Sequence, residues 1–281
     1  MLNIYNTYIF NLNYLNFIEI LLVSIIFLSI GSFAAATISR LNPENKKNDI
    51  NLLFPRSFCP TCKKPIDVLH LIPIIGYLLQ RGSCSSCNSN ISIFYPITEI
   101  FFLTIGIILL GFYGASINLA FLILILYLFY ALFFLDLRYY FLPFSLNLAL
   151  IFTGIISNSV FGLFIDEYLL FYFKTPILFS FFGIFFGYIS LWIINFIFKL
   201  IYKKDGIGGG DFILFAGIGS IFGPFSLSYI VFFGSMIGCL YYVFFKGFSG
   251  DKLPFGSFLI LGSCLYFFIK TSELLSKLIV I

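Results

Sequence analysis

Charged side chains are scarce in this chain. Asp, Glu, Lys and Arg make up 10% of its 281 residues, whereas soluble domains average about 25%. Hydrophobic residues make up 60%, and the mean hydropathy is +1.06. One water-soluble core cannot hide so much apolar surface, which excludes a soluble globular protein. The apolar runs are long and continuous, not short and alternating, so they favour membrane-spanning helices over a membrane β-barrel.

Lysine and arginine are absent from the first 17 residues. A cleaved secretory signal begins with a basic region, so we expect the first apolar run to be a retained helix. The sequence predicts an all-α polytopic membrane protein in three parts: an N-terminal segment with the first helix (1–38), a polar loop domain (39–92) and a seven-helix core (93–281). The eight predicted spans lie at about residues 17–38, 93–112, 117–135, 145–165, 176–198, 211–224, 225–245 and 254–275.

The basic residues lie mostly on one side of this topology. Of the 16 Lys and Arg residues, 13 fall in segment 39–92 or in loops on the same side. By the positive-inside rule, that side faces the cytoplasm, and eight spans place both termini outside. The same asymmetry explains the net charge of +4. We therefore expect contact with membrane lipid and no nucleic-acid partner.

Two aspartates fall on the predicted cytoplasmic face. Asp136 ends the third span in "FFLDLRYYFLPFSLN", and Asp211 opens the sixth after "DGIGGG". Acids inside a membrane are costly, so each is a candidate functional residue; the alternative is that each caps a helix end at the interface. The sixth span is only about 14 residues, or roughly 20 Å, against a bilayer core of about 30 Å. Asp211 is therefore expected below the lipid headgroups.

A carboxylate pair at this depth could hydrolyse a peptide. Two acids that share a site can share one proton, so that one takes a proton from water while the other polarises the peptide carbonyl. Pro143 prevents the third span from continuing as helix beyond Asp136, and glycines before Asp211 allow close backbone approach or a positive φ. Asp205 is expected to be a surface residue. We predict a catalytic pair, Asp136 and Asp211, and an active-site loop with Gly206, Gly208 and Gly210.

Two C-x-x-C pairs, "CPTC" and "CSSC", lie in the long polar loop with 21 residues between them. This spacing is typical of a tetrahedral Cys₄ zinc site, and a reducing cytosol favours zinc over disulfides or unliganded thiols. Four thiolates leave no position for water, so the site is predicted to be structural. The only histidine, His70, is expected at the surface, and Cys239 and Cys264 in the core. The predicted zinc ligands are Cys59, Cys62, Cys84 and Cys87.

Five segments resemble, in order, the bacterial type IV prepilin peptidases, which are the leader peptidase/N-methyltransferases of pilus and type II secretion systems. They are "GSFAAATISRL" (31–41), the cysteine loop as far as Glu99, "DLRYYFLP", "GIGGGD" and "LPFGSFLILG" (253–262). G-x-G-D alone is a weak signal, whereas five segments in the family's order are highly specific. Leu71, Phe144 and Ile213 depart from the residues usual in that family.

The resemblance implies an intramembrane aspartyl protease of the bacterial cytoplasmic membrane, with Asp136 and Asp211 as its catalytic pair. Its substrates would be prepilins or pseudopilins, cut at the cytoplasmic membrane face to remove a basic leader. S-adenosylmethionine would be a cofactor if the methyltransferase activity is present. Two alternatives remain at this point: a transporter or channel with a functional acid pair, and a zinc-loop membrane scaffold without activity.

Overall fold

The computed structural model describes residues 16–43, 51–52, 54–165, 169, 172–244 and 253–271. Within these ranges the regular structure is helical, with two isolated β-bridges and no strand. A short 3₁₀ helix covers Val68–Leu71. The α-helices are α1 Phe17–Arg40, α2 Ile75–Leu79, α3 Phe94–Tyr113, α4 Ile117–Tyr139, α5 Phe144–Phe161, α6 Pro176–Tyr202, α7 Gly209–Phe222, α8 Ser226–Phe244 and α9 Phe255–Thr271.

Each of the eight predicted apolar segments contains one helix. Among the described residues, six helices are long and apolar enough to cross a membrane, and the shorter α7 and α9 are also apolar. The all-helical, multi-pass membrane architecture is therefore confirmed. Eight crossings, and the division at residues 38 and 92, stay predictions.

The described residues form two compact units, one ending at Tyr127 and the other beginning at Leu128. In the first unit α1 packs along α3. Phe27 and Leu110 form a buried cluster with Leu119 and Ile123 from the start of α4. The hydroxyls of Thr37 and Tyr127 are 2.8 Å apart, which adds a polar tie between α1 and α4.

In the second unit, α7 lies at the centre. Every residue of α7 from Leu214 to Phe222 is buried, as expected of a helix that is apolar on all faces. It packs against α5, α6 and α9. The contact with α6 is close because Gly183 faces the Gly219 carbonyl, and a Cβ on Gly187 would lie 2.6 Å from the Phe215 carbonyl oxygen. Small residues allow such close approach of membrane helices.

Asn158, a fully buried residue of α5, holds the C-terminal end of α7. Its Nδ2 donates to the carbonyls of Ser220 and Ile221 at 3.0 and 2.9 Å. Its Oδ1 accepts from the Phe164 amide at 3.1 Å. These bonds satisfy carbonyls at the helix end that have no partner within the helix. The opposite end of α7 carries Asp211.

Candidate active site

Asp136 lies in the last turn of α4 and is 5% exposed. Its Oδ2 accepts two hydrogen bonds from Ser257 in α9, one from the backbone N at 2.6 Å and one from Oγ at 2.9 Å. The predicted break after this residue is present: Tyr140 has φ +50°, and Pro143 is the N-cap of α5. Asp136, at the end of α4, is therefore held in place by α9, which lies more than 100 residues later in the chain.

Asp211 lies in the first turn of α7 and is 9% exposed. One of its oxygens, Oδ2, accepts from the Gly208 amide at 3.2 Å, which is the helix-capping contact that the simpler interpretation predicted. The other oxygen, Oδ1, is buried beside the Gly256 backbone and accepts no hydrogen bond of good geometry from the described residues. A buried acceptor without a well-formed hydrogen bond is costly and calls for an explanation. One oxygen thus caps the helix, and the other is available for chemistry.

The first turn of α9 contacts both carboxylates. Ser257 binds Asp136, and the preceding residue, Gly256, lies so close to Asp211 that a Cβ on it would be 3.0 Å from Oδ1. The structure thus brings together two residues that are 75 positions apart in sequence.

The glycine loop before Asp211 is held by side chains from outside it. The amides of Gly206 and Ile207 both donate to Asn195 Oδ1 in α6, at 2.8 and 3.0 Å. Gly208 has φ −70°, and Gly206 and Gly210 also lie outside the left-handed region. Of the two uses that the sequence allows for these glycines, a positive φ is therefore not the one found.

Close approach, the other predicted use of the glycines, is present, but the approaching group belongs to the protein. A Cβ on Gly210 would lie 2.9 Å from Leu142 Cβ, and a Cβ on Gly256 would lie 2.9 Å from Leu142 Cδ1. Asn147 Nδ2 donates to the Gly210 carbonyl at 3.3 Å. Leu142 thus fills the space between the two segments that flank Asp211. At Gly209, by contrast, an added Cβ would meet no atom within 4 Å.

A cleft of about 530 Å³ lies beside Gly209, between α6 and the start of α7. Trp192 and Phe212 line its apolar part, and Lys199 and Asp205 line its polar part. Lys199 Nζ donates to Asp205 Oδ2 at 3.1 Å, and the ammonium group, together with the amide of Asn195, lowers the pKa of Asp205. Asp205 is at the surface, as predicted, but it also contacts the residue that holds the loop.

The four loop cysteines form a cluster that could hold a metal ion. Their sulfur atoms all lie within 4.8 Å of one another. Cys59 Sγ and Cys87 Sγ are 3.8 Å apart, close to the edge of a tetrahedron with zinc–sulfur bonds of about 2.3 Å. His70 does not belong to this cluster. The other two cysteines, expected in the core, are exposed on α8 and α9.

The two cysteine pairs have the same backbone geometry. The Cys59 amide donates to the Lys64 carbonyl at 2.9 Å, and the Cys84 amide donates to the Ser89 carbonyl at 2.8 Å. The Cys62 amide, the Ser89 hydroxyl and the Thr61 amide lower the pKa of Cys59 to about 5, whereas burial and the neighbouring thiols raise the pKa of Cys62 to about 11. A thiolate is the form that binds metal, so Cys59 is the ligand that the loop prepares best for metal binding.

Three residues of the site were not identified from the sequence. Ser257 lies inside segment 253–262, which carries part of the family resemblance, but the resemblance by itself gives this residue no role. Asn147 and Asn195 are amide side chains in largely apolar helices, where polar residues are commonly functional. That polarity is the signal that could have identified them, but it does not separate Asn147 from Asn158 of the same helix, which supports a helix end.

Comparison with known proteins places this chain among peptidases. Residues 25–113 match the bacterial peptidase A24 N-terminal domain, and residues 120–243 match the type IV leader peptidase family. The chain is 33% identical over 225 residues to a prepilin leader peptidase/N-methyltransferase of Dichelobacter nodosus, covering 80% of this chain and 75% of that protein. It is 34% identical over 225 residues to the protein of the same name from Neisseria gonorrhoeae, covering 80% and 74%. No solved structure matches the chain.

Proposed function

This chain belongs to the type IV leader peptidase family, and from that premise we propose that it is a membrane endopeptidase whose catalytic pair is Asp136 and Asp211. The observation that carries the assignment is the first turn of α9, which contacts both carboxylates through Ser257 and Gly256. Membership of this family gives the transporter and scaffold alternatives no support.

The two aspartates have different surroundings, which suggests different roles. Asp136 is oriented by two donors on one oxygen, so it is suited to accept a proton from the attacking water. Asp211 has a buried oxygen that accepts no hydrogen bond of good geometry, so in its protonated form it can donate a hydrogen bond to the peptide carbonyl. Water attacks the carbonyl carbon while its proton passes to Asp136 and the Asp211 proton passes to the carbonyl oxygen. Collapse of the tetrahedral intermediate then breaks the C–N bond: the proton held by Asp136 passes to the leaving nitrogen, and a hydroxyl of the gem-diol returns its proton to Asp211, which restores both carboxyl groups to their starting states.

The substrate we propose is a prepilin or pseudopilin with a basic leader. The strong bias of Lys and Arg to one side supports a cytoplasmic position for both aspartates and for the cysteine loop. The relatives are named for methylation as well as cleavage, so we further propose that the new N-terminus is methylated with S-adenosylmethionine as donor. No step of the peptidase reaction depends on that cofactor.

We also propose that the cysteine cluster binds one structural zinc ion. The residues fit the metal, because the sulfur separation of 3.8 Å between Cys59 and Cys87 matches a tetrahedral site. Four thiolates would complete the coordination, so the ion would cross-link the loop without activating water. The loop would then depend on the metal for its fold.

Co-expression of the chain with a candidate prepilin tests the peptidase function. Mass spectrometry of the pilin N-terminus reports cleavage and methylation together. Asp136→Asn and Asp211→Asn should each abolish cleavage while the protein still inserts in the membrane, and Asp67→Asn, a change at an exposed aspartate of the polar loop, serves as the control. A leader that stays attached with the wild-type chain would overturn the function. Near wild-type cleavage by either active-site variant would show that Asp136 and Asp211 are not the catalytic pair.

A further inference from the structure

Asn195 is a buried polar residue of α6, 8% exposed, and both ends of its amide are used. Its Oδ1 accepts from two consecutive loop amides, those of Gly206 and Ile207, at 2.8 and 3.0 Å. Its Nδ2 donates to Asp205 Oδ1 at 3.2 Å. A single side chain therefore fixes three successive residues of the loop that leads to Asp211.

The next amide along this loop is the one that reaches the active site. The Gly208 N–H donates to Asp211 Oδ2. Gly208 is exposed, and the only atom within 4 Å of a Cβ built on it is an oxygen of Asp211. Packing around Gly208 therefore cannot set its position. The bonds of the Gly206 and Ile207 amides to Asn195 hold this amide in place, together with the bond that the Gly208 carbonyl accepts from the Asp211 amide at 3.0 Å.

Asp205 and Lys199 set the orientation of the Asn195 amide. The amide could be flipped without changing its shape, but the flipped form would direct its NH₂ at the two loop N–H groups. Asp205, which accepts from Nδ2, selects the form that accepts from the loop. Lys199, one turn along α6 from Asn195, donates to Asp205 at 3.1 Å and keeps that carboxylate in place.

We propose that Asn195 is a positioning residue for peptide cleavage, because it places the Gly208 amide against Asp211 and so orients the free oxygen of that carboxylate. Asn195, Lys199 and Asp205 together are called the loop latch. This inference rests on the proposed peptidase function. The loop latch should affect the rate of the chemical step and leave the affinity for substrate unchanged.

Exchanging the two polar side chains of the latch tests the inference. Asn195→Asp keeps an acceptor for the loop amides but places two carboxylates against each other, and we expect kcat to fall about tenfold or more with KM unchanged. Asp205→Asn should lower kcat by clearly less than Asn195→Asp does, since the new amide can still present its oxygen to Asn195 Nδ2. In the double variant the new amide at position 205 donates to the new carboxylate at position 195. Cleavage should then return to the level of Asp205→Asn.

Hydrogen exchange of the amides of residues 206–208 gives a readout that does not need activity. Exchange should be faster in Asn195→Asp and should return to the wild-type rate in the double variant. If Asn195→Asp does not accumulate in membranes, Asn195→Ser tests the loss of the loop bonds by itself, because the shorter serine side chain removes the amide oxygen that reaches both loop N–H groups; its kcat should fall and exchange at residues 206–208 should be faster.

The outcomes separate the latch from the peptidase function. Faster exchange with unchanged kcat would overturn the positioning role. Equal losses in Asn195→Asp and in the double variant would overturn the proposed hydrogen bond between positions 195 and 205. A wild-type chain that leaves every prepilin uncut would overturn the peptidase function, and the exchange rates would still confirm or contradict the latch.

Discussion

Ser257 donates two hydrogen bonds to the same oxygen of Asp136. The backbone N lies 2.6 Å from Oδ2 and the hydroxyl 2.9 Å from it. The single hydroxyl hydrogen is shared with the Phe133 carbonyl oxygen, 3.1 Å from Oγ, so both acceptors tie α9 to the last turns of α4. Since the next residue back, Gly256, touches Asp211, displacement of this turn would disturb both carboxylates.

Ser257→Ala should lower kcat for prepilin cleavage by about tenfold, which corresponds to roughly 1.4 kcal/mol on the barrier. The variant removes the hydroxyl donor and keeps the backbone donor, so Asp136 loses one of its two bonds. A hydrogen bond to a charged group contributes about 1.5–3 kcal/mol, so a partial loss of that size is reasonable. The measurement is the single-turnover rate on a purified prepilin.

Ser263→Ala is the matched control for this experiment. Ser263 lies on the same helix, is equally buried, and its hydroxyl donates to the Leu259 carbonyl at 2.8 Å. It should retain near wild-type cleavage. Equal rates for the two alanine variants would mean that the Ser257 hydroxyl does not orient Asp136.

Gly210→Ala should lower cleavage about tenfold, whereas Gly209→Ala should stay within about threefold of wild type. The added methyl at position 210 would meet Leu142 at 2.9 Å, and the one at position 209 would meet no atom within 4 Å. Both glycines lie in the first turn of α7, where alanine is the better helix former by about 1 kcal/mol. Differences in helix propensity therefore cannot separate the two variants.

Cleavage rate and thermal stability in detergent should be measured together for both variants. A tenfold loss in Gly209→Ala with unchanged stability would show that the substrate, and not Leu142, approaches the loop closely. Wild-type cleavage by both would show that the glycine run acts only as a connector.

The sequence was sufficient to predict elements whose signal is local. The short apolar α7 with Asp211 at its start, the break at Pro143 and the paired cysteines are all visible within a few residues. Ser257 could not be linked to Asp136 in this way, because the partners are 121 positions apart. The glycines before Asp211 allow either unusual φ or close contact, and only the tertiary structure shows which one is used.

Burial was also hard to predict inside the apolar segments. Cys239 and Cys264 were expected in the core and are exposed. A membrane helix is apolar on the face toward lipid as well as on the face toward protein, so hydropathy carries no periodic signal for burial. The small residues are more informative, since Gly183, Gly187 and Gly219 mark the closest helix contact.

Protein purified without chelator should contain one zinc ion per chain, measured by inductively coupled plasma mass spectrometry. Cys59→Ser should abolish or strongly reduce the zinc content, because Cys59 is the most buried ligand of the cluster. It should also make residues 54–92 more sensitive to protease. The rate of prepilin cleavage should fall less than the protease resistance of residues 54–92, because the site is structural and coordinates no water.

Cys239→Ser is the control for metal content, since this thiol lies on α8 and outside the cluster. It should leave the zinc content unchanged. Metal-free wild-type protein with an intact, protease-resistant loop would contradict the zinc site.

Glu99→Ala should destabilise the first unit by about 1–3 kcal/mol, seen as a lower melting temperature and faster proteolysis between residues 68 and 79. Glu99 is 5% exposed on α3, and its Oε2 accepts from the Ile74 amide at 2.7 Å. Ile74 has φ +61°, a strained conformation for a β-branched residue. Removing the carboxylate leaves that strain without the hydrogen bond that offsets it.

Glu99→Gln keeps an oxygen acceptor and should lose less than half as much stability as Glu99→Ala. Ile74→Gly should restore part of the stability in the Glu99→Ala background, because glycine adopts this φ without strain. Thr104→Val, on an exposed face of the same helix, should be silent. If Glu99→Ala melts at the wild-type temperature, the carboxylate does not hold this segment, and a failure of Ile74→Gly to restore stability would show that backbone strain at Ile74 is not what Glu99 offsets.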